Sequence, residues 1–295
     1  MAFRISGFGA GAQEKKEMVP TYEVDVRTIV PRKSLVQVRF PGKGMALTYF
    51  NDLFDLKVGD RVYVDGKLEG QLGHVVDVSY NFKIKISDYK KVIAVVDTNV
   101  HGQFHMAGSH FVTFDPATIP AAQISMWFKA PAKEDDEFVS STDDFSFRLD
   151  ALKGMNVTAA IAERGHDYYM ENKVRYLCLD EAKGLAIVEG SESYMVEFEY
   201  RNGEISHLIC ECPCSYTCKH EFAAILQLRE TLEIIEKHYS DEYERTGYFA
   251  AISKGTLFAF AIDGRRSVRR PLPWYTGRWK CGPKRSGIPP ERPSP

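Results

Sequence analysis

Ile209-Cys-Glu-Cys-Pro-Cys-Ser-Tyr-Thr-Cys-Lys-His-Glu-Phe-Ala-Ala224 crowds four of the chain's six cysteines and a histidine into one short stretch. Its pattern is C-x-C, five residues, then C-x-H. Tetrahedral zinc takes four N or S donors at roughly 2.0–2.3 Å, which clustered thiolates and an imidazole supply once the chain folds round the ion. On this reading Cys210 and Cys212 project from the end of a strand, Pro213 opens a turn, and Cys218 and His220 stand in the first turn of a helix. That helix is expected over 219–238, with Phe222, Ile225, Leu228, Leu232 and Ile235 on one face at helical spacing. Three thiolates round a divalent cation leave a negative site, which suits the free N–H groups and positive dipole end of a helix N-terminus. Four protein ligands leave no open coordination position. A single zinc ion held by Cys210, Cys212, Cys218 and His220 is therefore expected to be structural. Cys214, inside the gap, is the alternative to Cys212. Reduced core cysteines or a redox pair would account poorly for the adjacent C-x-H. Cys178, in Tyr176-Leu-Cys-Leu179, reads as strand core, and Cys281 as incidental.

Upstream of the cluster the pattern predicts a helix within 149–164 and antiparallel strands at 168–169, 173–179, 184–188, 193–200 and 205–209. Arg164-Gly165-His-Asp-Tyr168-Tyr169, Val174, Val188-Glu-Gly190-Ser191, Tyr194-Met-Val196, Cys210-Glu-Cys212-Pro213 and Cys218-Lys219-His220 follow in that order. This succession resembles a SWIM zinc finger over about 151–232, a little over a quarter of the chain. The resemblance implies the same four ligands and DNA binding or protein interaction, often in company with a helicase-type ATPase. The chain departs from the family in the short gap between ligand pairs and in Cys214 within it.

In the N-terminal half, β-branched or alternating runs at 22–29, 35–40, 46–50, 61–64, 74–78, 82–86 and 92–96 are separated by turn signals such as Pro41-Gly42-Lys43-Gly44. Short strands at this spacing favour a small closed SH3-like β-barrel, because closure removes exposed edges. The expected fold class is α+β: an N-terminal barrel, then an antiparallel sheet with a zinc-stabilised ββα module. Along 79–87 the alternation sets Tyr80, Phe82, Ile84 and Ile86 on one face, and Asn81, Lys83 and Lys85 on the other. Lys83, Lys85, Lys90 and Lys91, with Tyr89, form a candidate nucleic-acid surface in which lysines neutralise phosphates and the tyrosine stacks on an unpaired base. The same lysines would equally serve to solubilise a sheet face. Leu56-Lys-Val-Gly59-Asp60-Arg-Val-Tyr-Val64, Gly73-His-Val-Val76 and Lys90-Lys-Val-Ile-Ala-Val-Val-Asp97 are similar in order and spacing to the DNA-binding barrel of the primosomal restart helicase and to KOW-type barrels. That resemblance implies binding at DNA strand ends.

A net charge of -2 and a pI near 6.5 give the whole molecule no attraction to nucleic acid, so a local basic face is required. The chain reads as a flexible arm (1–20), a β-barrel domain (21–128), an acidic linker (129–146), the SWIM-like domain (147–263) and a disordered basic tail (264–295). The first residues lack the apolar stretch of a secretory signal, and no apolar run approaches the roughly 20 residues of a membrane span. The glycines at 7, 9 and 11 lack the strand and Lys-Ser/Thr of a phosphate loop. Asp97, His101, His105 and His110 could gather round a metal or form an acid–base site, but 101–110 reads better as a loop between strands. No catalytic residue is assigned. The expectation is a cytoplasmic, bacterial, non-enzymatic adaptor with one zinc ion. Its partners would be nucleic acid, DNA before RNA, and a helicase-type ATPase. The alternative is a protein–protein interaction module that never touches nucleic acid.

Overall fold

A computed structural model describes residues 31–262 apart from 134–135, 137–138 and 142–144. The arm, the strand expected at 22–29 and the tail, with Cys281, lie outside the described residues. The fold is α+β, with two antiparallel sheets and five α-helices among the described residues.

The first sheet comprises β1 (Ser34–Arg39), β2 (Leu47–Asn51), β3 (Arg61–Val64), β4 (Gly73–Ser79) and β5 (Val92–Val96), in the order β2-β1-β4-β3-β5. Alternation in β1 turns Val36 and Val38 inward, where they pack with Phe40, Tyr49, Val62, Val75 and Val92. The expected closed barrel is not formed. The edges β2 and β5 approach at one parallel bridge, Phe50 to Lys91, where Phe50 N–H donates to the Lys90 carbonyl at 2.8 Å. Nor is 82–86 a strand. Its residues run as a loop into a 3-10 turn, Ile86–Asp88, whose backbone bonds are local: Asp88 N–H to Lys85 O and Tyr89 N–H to Ile86 O, both 3.0 Å. Phe82 and Ile84 are half-buried and Lys83 and Lys85 exposed, as the alternation requires, but Tyr80 and Ile86 of the expected apolar face are exposed. The segment pairs with neither edge strand of the sheet, β2 or β5.

The second sheet is built from β6 (His105–Ala107), β7 (His110–Thr113), β8 (Ser146–Arg148), β9 (Val174–Asp180), β10 (Lys183–Glu189), β11 (Ser193–Arg201), β12 (Glu204–Cys210) and β13 (Tyr248–Ser253). Their order is β6-β7-β13-β9-β10-β11-β12-β8. Five helices accompany them: α1 (Ala121–Phe128), α2 (Ala159–Met170), α3 (Lys219–His238), α4 (Ser240–Thr246) and α5 (Lys254–Leu257). The residues 168–169, expected in a strand, close α2. Ile161, Gly165, Tyr168 and Tyr169 fall at helical spacing, and Tyr168, Tyr169 and Phe222 of α3 join one apolar cluster. Thr158 caps α2 by accepting from Ile161 N–H at 3.3 Å, so the helix begins later than the expected 149–164.

β9 is buried on both faces. Leu177 and Leu179 point to α3, while Tyr176 and Cys178 point to a second core that holds Ile124 and Trp127 of α1 and Tyr63, Ala94 and Val96 of the first sheet. The second sheet is thus a middle layer. Polar groups in this core are satisfied: Tyr176 O–H donates to Ile119 O at 3.1 Å, and Trp127 Nε1–H to Asp97 O at 2.7 Å. The division expected at 129–146 does not follow the sheets, since β7 from one side of it pairs along β13 from the other. Among the described residues no helix is long and apolar enough to cross a membrane.

Candidate metal centre

Two elements bring the cluster together. Cys210 is the last residue of β12, held opposite Val196 of β11, and the chain then turns so that Cys218 becomes the N-cap of α3. Cys218 has extended backbone and its Sγ accepts from Glu221 N–H at 3.5 Å, while the Glu221 carboxylate accepts from Cys218 N–H at 2.6 Å. This is a capping box with cysteine in the place usually held by serine or threonine. His220 follows in the first helical turn, buried, with Tyr194 of β11 stacked on its ring at 4.5 Å and Tyr168 of α2 tilted against it at 5.5 Å.

The donor atoms of Cys210, Cys212, Cys218 and His220 all lie within 4.8 Å of one another. His220 Nδ1 is 3.6 Å from Cys218 Sγ and 3.8 Å from Cys210 Sγ. A zinc tetrahedron with thiolate bonds near 2.3 Å has donor–donor edges of about 3.8 Å, so this donor set fits such an ion. The ligating nitrogen would be Nδ1. Nε2, on the far side of the ring, is buried with no partner among the described residues. It faces Gly190, where an added Cβ would stand 3.0 Å from Nε2 and from the Tyr194 ring. Cys214 is exposed and outside the group, so the gathered thiols include Cys212.

Hydrogen bonds converge on the Cys218 sulfur. The Cys210 thiol donates to it, His220 and Glu221 N–H add to that, and together they hold its pKa well below the usual thiol range. Cys210 is pushed up as that donor and by burial, and Cys212 by burial first. Burial and the neighbouring Cys218 raise Glu221 to about 8. The pattern Cys218-x-x-Glu221 follows the capping-box spacing, so the sequence carries a signal for Glu221 that the zinc reading leaves unused.

The other candidates disperse. Lys83, Lys85 and Lys90 are exposed, on a loop rather than on the expected strand. Tyr89 is half-buried, and Lys91 Nζ pairs with Asp52 at 3.0 Å. His110 is buried in β7, His105 packs against Tyr239 and Phe114, and Asp97 Oδ1 accepts from Asn99. No potential metal-binding group among the described residues includes these histidines. Cys178 is strand core, its thiol raised to about 11 by burial.

No protein-family model matches the chain. The uncharacterized protein MJ1493 of Methanocaldococcus jannaschii is 35% identical over 71 residues, which are 24% of this chain. The match spans 30% of that protein's own length. No solved structure matches.

Proposed function

We propose that the chain is a zinc-stabilised adaptor of SWIM type that binds nucleic acid. One observation carries the reading: three thiols and an imidazole from a strand end, the turn after it and a helix start converge at ligand distances beneath an aromatic cover. With all four donors from the protein, the ion ties the β12 strand end to the α3 N-terminus and has no position for a substrate. In such a site Cys210, Cys212 and Cys218 bind as thiolates, His220 through Nδ1, and Glu221 fixes the backbone of Cys218. Elemental analysis of purified protein is expected to find one zinc per chain. Alanine at Cys210, Cys212, Cys218 or His220 is expected to release the metal, and Cys214→Ser or Cys178→Ser to retain it. Metal retained by Cys212→Ala and lost by Cys214→Ser would reverse the ligand set.

Nucleic-acid binding is the part of this reading that rests on charge. Lys83, Lys85 and Lys90 are solvent-exposed on one loop of the first sheet, where phosphate contact releases counterions. Labelled single- and double-stranded DNA is expected to bind with strong salt dependence, and the Lys83→Glu/Lys85→Glu variant to bind more weakly at low salt. No binding by the intact chain at low salt would put the protein-interaction reading first.

A further inference from the structure

A groove of about 1240 Å³ runs between α1, the residues after it and the β10–β11 hairpin. Its apolar surface is half-exposed: Met126, Phe128, Tyr194, Met195 and Phe260, the last stacked on buried Trp127 at 4.8 Å and 8°. Its rim is acidic, carrying Glu69, Asp136, Glu189, Glu192 and Glu211 against one cation, Lys129, among the described lining residues. Three of these carboxylates meet exposed or half-exposed cations, Glu69 with Lys133, Glu189 with Arg175 and Glu211 with Lys129. Such surface pairs are worth little and exchange readily for a better-placed partner. An apolar floor inside an acidic rim fits a basic peptide that also carries aromatic side chains.

The chain contains one. Residues 263–295 hold nine lysines and arginines against two carboxylates, a charge of +7 that leaves -9 on residues 1–262. Two of the protein's three tryptophans, Trp274 and Trp279, lie there among Arg269, Arg270, Arg278 and Lys280. The segment starts where the groove does, since Phe260 lines the groove and the described chain ends at Ile262. At about 3.3 Å per extended residue, Trp274 and Trp279 are within reach of the whole groove. We infer that residues 264–295 dock intramolecularly in this groove, tryptophans on the apolar floor and arginines on the rim. The inference is independent of the zinc reading.

Zero-length carbodiimide cross-linking of the dilute full-length protein tests it, because the reagent joins a carboxylate to an amine in contact with loss of water. Lys280 or Lys284 is expected to link to Glu192, Glu189 or Asp136, with a yield that falls as salt rises. In a mixture of isotopically light and heavy chains those links are expected within one chain. The full-length Glu192→Lys variant, whose side chain is exposed, is expected to lose the links at least severalfold at unchanged secondary structure. Four outcomes would overturn the inference: links from Lys15 or Lys16, which seat the N-terminal arm there; links only between chains, which seat a second copy; tail lysines that find no groove carboxylate; or links indifferent to salt and to Glu192→Lys.

Discussion

His110 lies wholly buried on β7, its Nε2 2.8 Å from the carbonyl oxygen of Val174 and its Nδ1 2.9 Å from Ser109 Oγ. Burial pushes its imidazole down to about 4, against the opposing pull of the Val174 carbonyl. The folded value lies below the unfolded one, so the folded state favours the neutral ring. The stabilisation is complete above about pH 6.5 and is lost as pH falls towards 4, a difference of roughly 3 kcal/mol. Denaturant unfolding at several pH values is expected to show this slope, and His110→Gln to flatten it by about one proton. Gly165 sets a steric limit of a different kind. A Cβ there would stand 2.8 Å from Phe222 Cβ and 3.0 Å from the Lys219 carbonyl oxygen, in the turn that carries Cys218 and His220. Gly165→Ala is expected to cost about 1–3 kcal/mol of stability, as overpacking does, and, if the site holds the proposed metal, to weaken its retention against a chelator. The gathering of Cys210, Cys212, Cys218 and His220 was legible because they sit within one local stretch whose spacing is that of a metal site. The ring stacking of Tyr194 and the closeness of Gly190 depend on how a hairpin meets a helix, which no local spacing encodes.

Among the elements, α3 spans the residues its apolar spacing predicts, because a long periodic face leaves one solution. The segment 80–86 shows where periodicity stops informing: alternation matches the covering of Phe82 and Ile84 but not of Tyr80 and Ile86, and a strand also requires a partner strand, which this segment does not have. Hydrogen–deuterium exchange tests the distinction. Amides of 80–86 are expected to exchange far faster than those of β5, each face of which is held by a core. Protection equal to that of β5 would restore the strand. β13 illustrates the opposite case. Tyr248-Phe-Ala-Ala-Ile-Ser253 is buried at every position, and a short apolar run without alternation gives no sign of its type or its neighbours.

At the scale of the molecule, the described residues of 129–146 are exposed apart from half-buried Ala130, and the chain on either side of them shares one sheet. The ladder of β13 with β7 and the shared core of α1, β5 and β9 bind the two sides together. Limited proteolysis is expected to cut within 129–146 and to leave two fragments that co-elute on native size exclusion and separate only in denaturant. Fragments that part under native conditions would count against the shared sheet. The position of β13 also has a consequence in time. Protein synthesis delivers the chain from its N-terminus, so the first sheet has all its strands once residue 96 is out, while β7 and β9 must wait for residue 253 to fill the place between them. Until then both edges, and the core above Trp127, stand open to any other strand in the cell. From the completion of β9 at residue 180 to that of β13 at residue 253, the nascent protein therefore has a gap within its larger sheet, and its dependence on chaperones is expected to end when β13 leaves the ribosome.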